Sequence, residues 1–151
     1  MTLAKEWVNR FEPVPELNQQ QMMEDVVWYI QHYDWVSFAE LAHRYGDQGK
    51  GDHFLNVAEN VVLWVGLSDR LCTSIIELMQ SKEIHTHSAL LLTYMVDGEL
   101  LRLPIAKRPP AGGYKKPHWL PATLRSGPFC EDKNCPARQK LHRESVVKGA
   151  R

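Results

Sequence analysis

The fold of this chain is decided by the stretch Val61-Val62-Leu63-Trp64-Val65-Gly66-Leu67-Ser68. The run that precedes the glycine is short and apolar, so its pattern alone is compatible with a buried strand or a buried helix. Gly66 can end a helix, and Ser68 can cap the next one. We therefore interpret the run as the end of a helix that begins at Asp52, followed by a second helix over residues 69–83. Two helices joined by a short glycine-containing turn form a helix-turn-helix.

Two further helices are predicted upstream of this pair. Asn18 can cap the first, whose apolar stripe includes Val26 and Ile30. Ser37 and Glu40 form a capping box at the start of the second, and Gly46 should end it. Both helices would pack against the helix-turn-helix to form one core.

A β-hairpin is predicted downstream. Asp97-Gly98 is the dipeptide preferred in a two-residue type I′ turn, and residues 90–105 are largely apolar on both sides of it. The basic, Pro- and Gly-rich composition after this hairpin indicates a change of organisation. We therefore divide the chain into an N-terminal arm with a short helix (1–17), a central domain (18–106) and an extension with a polar tail (107–151).

The order of these elements over residues 20–106 resembles a winged-helix DNA-binding domain. The expected fold class is therefore mainly α with a β-hairpin (α+β), in which the hairpin is the wing. The resemblance implies that helix 69–83 enters the major groove of duplex DNA and that the hairpin contacts the backbone or the minor groove. It implies a small DNA-binding protein, such as a transcriptional regulator.

Two groups of residues would then contact DNA. The outward residues of the second helix that can reach base edges or phosphates are Arg70, Thr73, Ser74 and Gln80. The cations that can contact phosphates in the basic stretch are Arg102, Lys107, Arg108, Lys115, Lys116 and Arg125.

The distribution of charge supports a second interpretation. The net charge is zero, but residues 1–100 hold 6 Lys/Arg against 15 Asp/Glu, whereas residues 101–151 hold 12 against 3. The basic segment 102–125 could meet a polyanion, or it could lie on the acidic body and neutralise it. Because helix 69–83 and the hairpin tip are themselves slightly acidic, the alternative function is a protein-interaction adaptor that uses an acidic face.

Metal binding is the third interpretation. His118, Cys130, Cys135 and His142 provide two imidazoles and two thiols, which could hold zinc in a tetrahedral site. Their spacing departs from common zinc motifs, so free thiols in a polar tail are preferred and no cofactor is expected. His85 and His87 alternate at strand spacing, but a pair of histidines with no third ligand nearby is more typical of a solvated strand edge.

Several classes of protein are not expected. No apolar run approaches the length of a membrane span, and the N-terminal residues do not resemble a signal peptide. Three cysteines cannot form a complete set of disulfides, which favours a reducing cytoplasm. No nucleophile lies beside a base in the sequence pattern, and the adjacent carboxylates Glu24 and Asp25 fit the acidic first turn of a helix rather than a catalytic pair. We therefore expect a cytoplasmic protein that is not an enzyme and does not bind membranes.

Overall fold

The computed structural model describes residues 14–107, 110, 112–131, 135 and 147–150. Within these residues the chain is a mixed α/β structure, in which helices pack with two small sheets. The helices are α1 (Gln19–Tyr33), α2 (Phe38–Tyr45), α3 (Asp69–Gln80) and α4 (Leu91–Val96), and a 3₁₀ turn spans Gly46–Gly49. The strands are β1 (Val36–Ser37), β2 (Lys50–Ala58), β3 (Val61–Leu67), β4 (Ile84–Ser88), β5 (His118–Trp119), β6 (Ala122–Ser126) and β7 (Val147–Ala150).

The two sheets combine strands that are distant in sequence. One sheet has the order β1-β6-β4 and is antiparallel throughout. The other has the order β5-β3-β2-β7, in which β5 is parallel to β3 and the remaining pairs are antiparallel. In the described part of the chain, no helix has both the length and the apolar character that crossing a lipid bilayer requires.

Helices α1 and α2 begin where their capping residues predict. The Asn18 side chain accepts a hydrogen bond from the backbone N–H of Gln21 at 2.8 Å, and the Gln21 side chain accepts from the Asn18 N–H at 3.0 Å. Ser37 Oγ accepts from the backbone N–H of Glu40 at 3.0 Å, and α2 ends at Gly46 with φ of 56°. These signals are local, because each cap satisfies backbone groups within one helical turn of itself.

The helix expected between Asp52 and Val65 was wrong, because β2 and β3 form a hairpin there. Asn60 occupies the turn with φ of 57°. The β-branched and aromatic residues of the run suit a pleated, buried strand, and β5 and β7 pair with the outer edges of the hairpin. A Cβ atom at Gly51 would come within 2.8 Å of the Leu67 backbone oxygen, so glycine allows the backbones of β2 and β3 to approach closely here.

The helix-turn-helix is therefore not formed, although its second helix is. Ser68 caps α3 by accepting from the Leu71 N–H at 3.1 Å. Gly66, at φ of 73°, lies within β3 rather than between two helices. Helix α3 ends at Gln80, a little earlier than expected, and Lys82 at φ of 64° turns the chain into β4.

The hairpin predicted around Asp97-Gly98 was also wrong, because residues 91–96 form helix α4. Gly98 has φ of 85°, as the turn required, but it ends a helix. Its N–H donates to the Met95 oxygen at 3.2 Å, and the Glu99 N–H donates to the Tyr94 oxygen at 3.1 Å. This pair of bonds is the Schellman motif, which requires the same left-handed glycine as a tight turn. The winged-helix architecture is not confirmed, whereas a mixed α and β composition is.

Candidate interaction surface

Helix α4 is held to the body of the protein through one buried side chain. The Tyr94 hydroxyl donates to the Ala122 oxygen at 2.6 Å and accepts from the Phe38 N–H at 3.3 Å. Its ring packs against Trp64 and Trp119, with centroid separations of 5.1 and 4.9 Å. Burial raises the pKa of Tyr94, so the hydroxyl stays protonated and able to donate.

The rest of α4 and its flanks present apolar side chains to solvent. Leu90 is 76% exposed and Val96 is 77% exposed. The other exposed apolar residues of this segment are Leu91, Leu92, Met95 and Leu100. Single exposed apolar residues are ordinary, but several on one short helix and its flanks are typical of a binding surface.

A groove beside α4, here called the α4 groove, encloses about 410 Å³. Its lining combines large apolar and acidic side chains and consists of Tyr33, Asp34, Trp35, Glu40, Leu90, Leu92, Thr93, Val96 and Asp97. Its volume lies within the range of about 300–1,000 Å³ that is usual for ligand-binding pockets. Three of the lining residues are carboxylates, and none of the lining residues is Lys or Arg.

Polar contacts hold several residues of the groove lining in place. Asp34 receives two hydrogen bonds from Arg125, at 2.9 and 2.7 Å, and the guanidinium lies 3.8 Å from the ring centroid of Trp35. Asp97 accepts from Ser37 Oγ at 2.5 Å. Trp35 is therefore supported on one side by a cation, and the C-terminal end of α4 is tied to the start of α2.

The structure places the predicted base-contacting residues of α3 mainly against the protein. Ser74 is fully buried, and its Oγ receives a hydrogen bond from the Gln19 side chain. Arg70 forms an ion pair with Glu16 at 2.9 Å and donates to the Leu17 oxygen at 2.6 Å. The remaining two of the four are half-buried Thr73 and exposed Gln80.

Most of the predicted phosphate-contacting residues lie at the surface. The exposed ones are Arg102, Lys107, Lys115 and Lys116. Arg125 is half-buried and paired with Asp34. Arg108 lies outside the described residues.

The cysteines considered as zinc ligands do come together, but with a different histidine. The ligand atoms of His85, Cys130 and Cys135 all lie within 4.8 Å of one another. His118 instead stacks on Tyr114 with a centroid separation of 3.7 Å, and its Nδ1 lies 2.8 Å from the Lys116 oxygen. His142 lies outside the described residues.

The sequence contained a signal for His85 that was interpreted differently. Its alternation with His87 correctly indicates a strand, but both side chains are buried and do not lie at a solvated edge. The surface of α4 was missed because residues 90–105 were assigned to a hairpin, whose apolar face would have covered the helices.

Comparison with models of protein families, with curated proteins and with solved structures finds no match for this chain.

Proposed function

We propose that this protein is an interaction module that binds a short apolar segment of a partner protein in the α4 groove. The observation that carries the proposal is the row of exposed apolar residues on and beside one short helix, three of which line the groove. Those three are Leu90, Leu92 and Val96, and Trp35 also lines the groove. Burying one large aliphatic side chain contributes about 1.5–3 kcal/mol, so a partner that covers them gains a substantial free energy.

The expected occupant is a peptide segment with large apolar residues flanked by Lys or Arg. Its charge follows from the carboxylates of Glu40 and Asp97 in the groove, where Asp34 is already paired with Arg125, and from the acidic character of residues 1–100. A peptide is favoured over a small molecule because the exposed apolar surface extends to Leu100, which lies outside the lining of the groove.

Binding of matched synthetic peptides tests the proposal. A labelled helical peptide with apolar residues at positions i, i+3, i+4 and i+7 is prepared on a Lys-rich background and again on a Glu-rich one. Fluorescence anisotropy with the full chain should show saturable binding of the Lys-rich peptide and at least tenfold weaker binding of the Glu-rich one. Substitution of Leu92→Ser together with Val96→Ser should weaken binding by about tenfold or more, since the two lost contacts together are worth at least about 1.4 kcal/mol.

The matched control is Leu91→Ser, which changes an exposed leucine of the same helix that does not line the groove. It should bind the Lys-rich peptide nearly as the unmodified chain does. Equal binding by the double variant would overturn the proposal. Self-association that the double variant abolishes would show that a second copy of the chain occupies the groove, and binding to anionic vesicles in place of the peptide would show a membrane; either result would overturn it.

Duplex DNA is the second candidate partner. The observation that favours it is the exposure of Arg102, Lys107, Lys115 and Lys116 in the segment that follows α4. Because their charges are exposed, they are available for phosphate contacts that require no base recognition. In this form of the proposal, α3 would contribute base contacts through Gln80.

A further inference from the structure

The segment that follows β6 returns to cover the edge strand β4. Gly127, at φ of 87°, turns the chain, and its N–H donates to the Glu83 oxygen at 2.7 Å. His85 lies opposite Arg125 in the register of β4 and β6. This turn brings Cys130 and Cys135 to the side chain of His85, more than forty positions away in sequence.

His85 has the tautomer and the burial of a metal ligand. Its side chain is 3% exposed, and Nδ1 lies 2.8 Å from the Gly127 oxygen. A carbonyl oxygen only accepts, so Nδ1 carries the proton and Nε2 of the neutral ring presents its lone pair. An imidazole that ligates a metal ordinarily donates its other N–H to a backbone carbonyl in this way.

Nε2 of His85 is buried and has no hydrogen-bond partner among the residues that the structure describes. An acceptor that loses water on folding and gains no partner in exchange is unfavourable. The ligand atoms nearest to it in the cluster are the two cysteine sulfurs. A cation between the nitrogen and the sulfurs would remove this cost.

The separation of the three ligand atoms is close to that of a tetrahedral site. With Zn–S near 2.3 Å and Zn–N near 2.0 Å, ligand atoms around zinc lie about 3.5–3.8 Å apart. All three atoms here lie within 4.8 Å of one another, so contraction by about 1 Å completes the geometry. Thiolate sulfur with imidazole nitrogen is the ligand combination that favours zinc among the abundant divalent ions.

The balance of charge also suits a buried zinc cluster. The charges of two thiolates and one Zn²⁺ sum to zero. This neutrality lowers the free energy cost of burying the cluster, in which Cys135 is 1% exposed.

We propose that His85 Nε2 and the sulfurs of Cys130 and Cys135 bind one Zn²⁺ ion, which fastens residues 127–131 and Cys135 to the sheet β1-β6-β4. The site is structural, because it joins an edge strand to residues 127–131 and 135, described positions that lie outside any helix or strand. The fourth position of the tetrahedron is available to water or to one further side chain. This inference is independent of the α4 groove, which shares no ligand residue with the cluster.

Metal content and cobalt substitution test the site. The full chain, purified under reducing conditions, should carry about one equivalent of zinc, and removal of zinc by a chelator should lower its thermal midpoint. Co²⁺ added to the metal-free chain should produce a sulfur-to-cobalt charge-transfer absorption and intense tetrahedral d–d bands. Cys135→Ser and His85→Ala should each weaken Co²⁺ binding at least tenfold.

Two variants separate ligation from folding. His85→Cys replaces one ligand by another, so it should retain metal even if His85→Ala fails to fold. His118→Ala should leave the metal content unchanged, because His118 lies against Tyr114 and away from the cluster. Reduced protein that contains no zinc and binds no Co²⁺ would overturn the proposal, as would an unchanged cobalt spectrum in the folded Cys135→Ser variant.

Discussion

The hydroxyl of Tyr94 donates a hydrogen bond to the backbone oxygen of Ala122 at 2.6 Å, and this bond ties α4 to β6. Tyr94→Phe keeps the ring that packs on Trp64 and Trp119 but leaves the Ala122 oxygen and the Phe38 N–H without this partner. Loss of hydrogen bonding by such buried groups should lower the free energy of unfolding by about 1–3 kcal/mol. Urea denaturation measures the change.

The same substitution tests how α4 is held. Because Tyr94 is the buried residue of α4, Tyr94→Phe should speed proteolysis within residues 90–100 more than elsewhere in the chain. A matched control is Tyr114→Phe, whose side chain is only half-buried and does not line the α4 groove. If both variants were digested at the same sites and rates, the anchoring role of the Tyr94 hydroxyl would be refuted.

Gly98 should be required because of its backbone conformation, since a larger side chain would meet no steric obstacle at this position. A Cβ atom at this position would meet nothing within 4 Å, but φ is 85°, which a residue with a Cβ adopts at a cost of about 1–2 kcal/mol. We expect Gly98→Ala to lower the free energy of unfolding by about 1 kcal/mol and Gly98→Asn to lower it less, because Asn tolerates left-handed conformations. Urea denaturation of the two variants measures both changes. A Gly98→Ala variant that is more stable than the unmodified chain would contradict the assignment of a Schellman motif at the end of α4.

The local signals in the sequence predicted where helices begin and where the backbone turns. They did not predict which segments pair or pack with one another. Ser68 caps α3 as expected, since its hydroxyl bonds a backbone N–H three residues away. The positive φ of Gly98 was also predicted correctly, although a helix end and a hairpin turn both need it. Neither signal depends on residues distant in the chain.

The errors arose where distant segments decide the structure. The run Val61–Val65 is a strand because β5 and β2 pair with its two edges, and β5 begins more than fifty residues later. The cysteines were correctly grouped, but His85 joins them only through the pairing of β4 with β6. Sequence spacing could not indicate this pairing, so His118 was selected by proximity along the chain.

The Asp34–Arg125 ion pair should make stability depend on pH. The pKa of Asp34 lies below its ordinary value of 3.8, chiefly because of the hydrogen bonds from Arg125. A carboxyl whose pKa is depressed by folding stabilises the protein above its unfolded pKa, and this contribution is lost as the pH falls through the folded pKa. Its side chain is 40% exposed, so solvent screening limits the contribution to about 0.5–1 kcal/mol.

The measurement compares Asp34→Asn with the unmodified chain by urea denaturation at pH 7 and at about pH 3. The variant should be less stable at pH 7, and the difference should shrink at the lower pH as Asp34 becomes protonated. Asp47→Asn, at an exposed carboxylate of the 3₁₀ turn, is the control and should change little at either pH. A difference of the same size at both values would refute the assignment to the ion pair.

Salt-dependent binding to duplex DNA separates the two candidate functions. Each Lys or Arg that contacts a phosphate releases condensed counterions, which gives a log–log slope of about −0.9 per contact. If DNA is the partner, Lys115→Ala together with Lys116→Ala should weaken binding to all sequences and flatten the slope by up to about 2 units. Gln80→Ala should instead alter the preference among sequences, because Gln80 is the exposed member of the predicted base-contacting set.

The control is Leu92→Ser with Val96→Ser, which changes no charge and should leave the slope unaltered. A chain that binds no duplex in a salt-sensitive manner near physiological ionic strength would exclude the DNA proposal and leave the peptide-binding α4 groove as the proposed function, since that interaction depends on buried apolar contacts.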